Sequence, residues 1–152
     1  LQMQQAIGSL EEIGDHFYRP YFFGLLGEAQ MKCRRLSEAL ETVQKALNLV
    51  EESGERFAEV DLLILLGIIK FQLNPEDAQA EAHLLEALEV ARYQGSMSLE
   101  LRAATILARI WQGQNRLSQA HALLMPIYAW FTEGFKTSDL IVAQQLLTQL
   151  SD

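Results

Sequence analysis

Proline is scarce in this chain, three residues in 152, and cysteine is scarcer still, with Cys33 alone. Few chain breakers and 49% hydrophobic residues argue against disorder and fit an all-helical chain. A single cysteine has no internal disulfide partner, which is compatible with a reducing cytoplasm. Basic residues are outnumbered, 12 Lys and Arg against 20 Asp and Glu, for a formal net charge of -8. With no compact basic stripe to offset it, such a chain repels a nucleic-acid backbone. Long apolar runs are missing too. The longest, 62–69, stops at Lys70, far short of the roughly 20 residues a membrane span needs. No signal peptide opens the chain, which begins at Leu1 without a methionine and reads as a piece of a longer polypeptide.

What the chain does have is a repeat. Gly27, Gly67 and Ala108 are 40 and 41 residues apart, and Ala39, Ala80 and Ala120 are 41 and 40 apart. A large apolar position tracks the second set at Val43, Leu84 and Leu124, and a third small position, Ala46 and Ala87, is occupied by Ile127 in its last copy. Gly14, Gly54, Gly95 and Gly134 close the units. Small residues recurring this way suit pairs of helices joined by a short turn, which cross closely where one of them presents no bulk. Each hairpin has an apolar face it cannot bury alone, so copies stack sideways into a solenoid.

The units are read as follows. Residues 1–14 are the second helix of a truncated repeat, since Met3 and Ala6 sit 40 before Val43 and Ala46. Residues 15–54, 55–95 and 96–134 are helix hairpins, and 137–151 is a capping helix. Asp15 is a plausible N-cap, and Pro20 belongs in a first helical turn or kinks a helix already begun. Phe17 and Phe57 are 40 apart, so the entry is itself repeated. Lys32, Arg34 and Arg35 fall at a helix end, where positive charge meets the negative end of the dipole. Leu36, Ala39, Leu40, Val43, Ala46, Leu47 and Val50 mark one face of the following helix, which Gly54 stops. Pro126, inside a helix expected over 116–132, removes a backbone donor and predicts a kink near Ala122 and Leu123.

Leu26-Gly27 with Ala39, Val43 and Ala46, and Leu66-Gly67 with Ala80, Leu84 and Ala87, resemble the tetratricopeptide repeat family; Leu107-Ala108 with Ala120 and Leu124 fits more loosely. The period is longer than that family's usual one of about 34. The resemblance implies an all-α, right-handed superhelical solenoid of antiparallel helix hairpins with a period of about 40 and a C-terminal capping helix. A narrower resemblance, carried by 99–140 with Gly54-Glu55-Arg56-Phe57 and the run to Gly67, is to the C-terminal repeat region of large bacterial signalling proteins. There such repeats follow a signalling ATPase module and a nucleotide-cyclase or DNA-binding output domain. It implies a regulatory, cytoplasmic tail whose catalytic parts lie elsewhere.

By the family's register, the first helix of each hairpin lines a concave surface. That places Tyr21, Glu28, Met31 and Lys32 on it from the first hairpin, Asp61, Ile64, Ile68 and Phe71 from the second, and Arg102, Thr105, Arg109 and Gln112 from the third. Arg102 and Arg109 are two turns apart, a spacing suited to an extended peptide's carboxylates; a solvated face paired to Glu100 or to neighbouring repeats is the alternative. The expected partner is a protein or peptide, or another domain of the same polypeptide, with self-association into a homodimer as the second possibility.

No enzymatic constellation stands out. His16, His83 and His121 are not spaced i, i+4 from one another or from Cys33, as a helical metal site requires, and no cofactor is expected. Cys33, beside Lys32, Arg34 and Arg35, has no histidine nearby in sequence to act as base. Gly24 and Gly27 lack the Lys-Ser/Thr of a phosphate loop and are read as close-packing positions. The acid pairs Glu11-Glu12 and Glu51-Glu52 are placed at solvent-facing helix ends. Of Tyr128, Trp130, Phe131 and Phe135, Trp130 lies off the apolar face; it is read as packed under the last helix, with contact to a partner as the alternative.

Overall fold

In a computed structural model, which describes residues 2–13 and 17–151, the chain is all-α, with eight helices and no strand among the described residues. They are α1 (Gln2–Ile13), α2 (Arg19–Lys32), α3 (Leu36–Ser53), α4 (Glu59–Leu73), α5 (Ala78–Tyr93), α6 (Met97–Gly113), α7 (Leu117–Ala129) and α8 (Ser138–Ser151). The expectations for Gly14, Asp15 and His16 fall outside the described residues, as do those for the side chains of Ala6, Glu11 and Glu12. The chain divides into two compact units, 1–83 and 84–152, and the division falls within α5.

In the first unit α2 packs on α1, α3 and α4, and α3 packs on α4. Pro20 sits in the first turn of α2, where its missing N–H has no helical partner to lose, so it starts the helix instead of kinking it. The face of α3 marked by apolar spacing buries Ala39, Val43, Ala46 and Val50, with Leu40 and Leu47 half-buried against the same core. Phe23 of α2 and Leu62, Leu65, Leu66 and Ile69 of α4 complete that core. Each such aliphatic side chain contributes about 1.5–3 kcal/mol on full burial. Gly27 is what lets α2 approach α3: a Cβ there would lie 2.6 Å from Cγ2 of Val43 and 3.7 Å from the Ala39 carbonyl oxygen. At Gly24 a Cβ would meet Leu62 Cδ2 at 3.1 Å.

Helix α4 buries residues on every side, Val60 and Leu62 through Gly67 together with Ile69, as its unbroken apolar run requires. In the second unit α6 packs on α7, and α8 packs on both. Leu101, Leu107 and Ala108 of α6, Ala120 and Leu124 of α7, and Leu140, Ala143 and Leu146 of α8 are all buried.

The repeated positions share one fate. Gly27, Gly67 and Ala108 are buried, as are Ala39, Ala80 and Ala120, Val43, Leu84 and Leu124, and Ala46, Ala87 and Ile127. The stops recur too. Gly54, Gly95 and Gly134 have φ of 73°, 68° and 78°, the left-handed conformation glycine adopts without strain.

Two turns use the same conformation without glycine. Arg34 (φ 63°) and Asn115 (φ 60°) stand 81 residues apart at matching places, after α2 and after α6. In both, the next residue's N–H reaches back five positions, Arg35 to the Gln30 carbonyl at 2.9 Å and Arg116 to the Trp111 carbonyl at 2.8 Å. This bonding closes the helix ends by satisfying otherwise orphaned carbonyls. The corresponding break after α4 differs: Asn74 is extended, at φ -149° and ψ 101°, and the turn carries Pro75 and one extra residue.

Helix α7 contains Pro126 but ends at Ala129, short of the expected Thr132. The N–H groups of Trp130 and Phe131 bond three residues back, to Ile127 and Tyr128, at 3.3 and 3.1 Å. Such bonds tighten a last turn.

Candidate interaction surfaces

On the first unit, the sequence-derived surface residues of α2 separate by exposure. Tyr21 and Lys32 are exposed, Glu28 is half-exposed, and Met31 packs partly into the core. Lys32 and Glu28 pair at 2.6 Å one turn apart in solvent, a contact contributing about 0.3–0.5 kcal/mol. On α4, Asp61 is exposed and Ile68 and Phe71 are half-buried, whereas Ile64 is buried. Because every side of α4 is apolar, spacing alone does not distinguish a partner-facing position from a core one.

On the second unit, Arg102 and Arg109 are both exposed, two turns apart on α6. Arg102 donates from Nη2 to Asp139 Oδ2 of α8 at 3.1 Å. Arg109 makes no ion pair among the described residues. Gln112 donates from Nε2 to Gln149 Oε1 of α8 at 3.3 Å. Thr105, like Ile64, is buried, and its hydroxyl donates to the Leu101 carbonyl at 2.7 Å. Glu100 does not pair with Arg102. It is buried and accepts from Arg92 Nε at 2.5 Å, joining the end of α5 to the first turn of α6.

The aromatic residues around the end of α7 correct one expectation. Trp130 is 60% exposed, with Phe131 edge-on at 5.2 Å. Because α7 stops one residue earlier, Trp130 stands at the helix end and is left largely in solvent. The other tryptophan, Trp111, is buried under the Arg116 guanidinium, which sits 4.6 Å from the ring centroid.

The feature that sequence reading did not single out as a surface is a cluster of rings at the entries to α2 and α4. Phe17 and Phe57 stack with centroids 5.1 Å apart and planes at 15°. Tyr18 stands nearly perpendicular to both, at 80° to Phe17 and 73° to Phe57, and Tyr21 lies 6.4 Å from Phe57. All four residues are between 41 and 49% exposed. The signal was present as the 40-residue spacing of Phe17 and Phe57; their exposure depends on the short loops that carry them.

Cys33 is exposed. Beside it Arg35 pairs with Glu38, whose hydrogen bond and charge hold the guanidinium pKa above its ordinary value. His83 and His121 are half-buried, and no three His, Cys, Asp or Glu side chains among the described residues are placed to hold a metal ion. No helix among the described residues is long and apolar enough to cross a membrane. Compared with protein-family models and with curated proteins, the chain finds no match.

Proposed function

We propose that this chain is a non-catalytic protein-interaction module, a tetratricopeptide-like, right-handed array of helix hairpins serving as the cytoplasmic regulatory part of a larger bacterial signalling protein. The observation that carries the reading is the burial of the small residues at their 40-residue spacing, with Gly27 seated against Val43 where two helices cross. Helix-hairpin arrays built on such crossings leave one side of each first helix for a partner. On the first unit that side offers Tyr21, Glu28, Lys32 and Asp61, with Ile68 and Phe71 half-buried beside them. On the second it offers Arg102, Arg109 and Gln112. A carboxylate-bearing peptide competes with Asp139 for Arg102 and meets no competitor among the described residues at Arg109.

The test is capture of short acidic peptides by the intact chain and by the Arg102→Glu/Arg109→Glu variant. The reading expects capture to be lost while helicity by circular dichroism is unchanged; undiminished capture refutes the assignment. The reading gives this chain no catalytic step and no cofactor, so nucleotide turnover by the purified chain also refutes it. Self-association is the competing function, favoured by the exposed apolar side chain of Met3 on α1. A concentration-dependent dimer in light scattering selects it over peptide capture.

A further inference from the structure

We propose that the aromatic face formed by Phe17, Tyr18, Tyr21 and Phe57 docks a basic peptide, seating an arginine or lysine side chain against the rings. The inference rests on the interaction-module reading above and names the partner chemistry for the first unit.

Ring geometry is the first support. The four rings form one connected patch, each touching at least one other, with more than two fifths of every ring residue left open. Buried aromatics pack out of water, whereas here a stacked pair and a perpendicular third ring stay exposed. An exposed ring face is a region of negative potential, and a cation within about 6 Å of its centroid is attracted to it. The same unit already uses this chemistry once. Lys45 Nζ lies 4.6 Å from the centroid of Phe23.

Charge is the second support. Residues 1–83 hold seven Lys and Arg against fourteen Asp and Glu, while 84–152 hold five against six, so nearly all the net negative charge belongs to the unit that carries the rings. Glu55 and Asp61, both exposed, flank Phe57 in sequence. Of the cations nearby, Arg56 is held by Glu59 through both carboxylate oxygens, at 2.6 and 3.0 Å, and Arg19 is half-buried. A cationic partner therefore gains both ring contact and long-range attraction, and an acidic partner gains neither.

The experiment uses the whole chain and three fluorescein-labelled synthetic peptides in fluorescence anisotropy at physiological salt: alternating arginine and serine, alternating glutamate and serine, and a neutral proline-rich sequence. The arginine peptide is expected to bind at least about tenfold more tightly than the other two, and Phe17→Leu/Phe57→Leu, which keeps apolar bulk but removes the ring faces, is expected to weaken it about tenfold. Tyr21→Leu, at an exposed position, provides a second variant should the double change disturb folding, and should weaken binding in the same direction. Arginine-peptide affinity that ignores both ring variants overturns the proposal, because charge alone then accounts for it. Ring-dependent binding of the proline-rich peptide overturns it while leaving the interaction module intact, as does capture of only the glutamate peptide through Arg102 and Arg109. A dimer that the ring variants dissociate, with no peptide bound, overturns both the proposal and peptide capture as the chain's role.

Discussion

Gly27 and Val43 touch so closely that the glycine has no room for a side chain: a Cβ at position 27 would lie 2.6 Å from Val43 Cγ2. Val43 is itself fully buried in the α3 face, so the methyl it presents has nowhere simple to turn. Gly27→Ala should therefore destabilise the chain by about 1–3 kcal/mol despite alanine's better helix propensity, since overpacking outweighs the gain. Val43→Ala alone should also destabilise, through the cavity it leaves. Combined, the two changes should cost less than their sum, and a double-mutant cycle in urea measures the coupling. Additive effects would mean that α2 and α3 simply shift apart.

At Arg34 and Asn115 the left-handed turn is occupied by residues with a Cβ, a conformation costing roughly 1–2 kcal/mol for most side chains and less for asparagine. Arg34→Gly should stabilise the protein by up to about 1 kcal/mol, visible as a higher Tm, and Asn115→Gly by less. Equal gains at the two sites would show that asparagine has no local advantage here.

The Arg92 and Glu100 pair predicts an asymmetry. Glu100 is buried whereas Arg92 is more than half exposed, so removing the arginine leaves a carboxylate in poor solvent, while removing the glutamate returns the arginine to water. Arg92→Ala should cost about 1–2 kcal/mol, below the 3–5 of a fully buried pair because the arginine side is wet. Glu100→Gln should cost less. Chemical denaturation of both variants decides it, and a larger loss for Glu100→Gln would contradict the burial argument.

Much of the fold was legible because small residues and glycine stops are read from spacing alone. Gly54, Gly95 and Gly134 all take the left-handed conformation, and the apolar face of α3 is the one its periodicity marks. Arg34 was not legible, since arginine gives no signal for a left-handed turn; Asn115 carried a weak one, asparagine being the residue that most often replaces glycine past a helix end. At the candidate surfaces the limit was different. An amphipathic helix declares its outer face, but α4 is apolar all round, so Ile64 could be assigned outward by register and still be buried. Trp130 depended on where α7 stops, and that end is set by local bonding after Pro126 that no periodicity encodes.

The lack of any polar side on α4 also bears on how the chain is made. A rod of 15 residues, EVDLLILLGIIKFQL, is poorly suited to wait in water, and during synthesis it emerges after α2 and α3, both of which pack on it. Because domains fold from the N-terminal side as they leave the ribosome, at about 5–20 residues per second, the helices that cover its Leu62, Leu65, Leu66 and Ile69 are already in place when it appears. A circular permutant opened in the loop between α3 and α4 would reverse that order, bringing α4 out first, and would hand the least soluble helix of the protein to the chaperones before its neighbours exist.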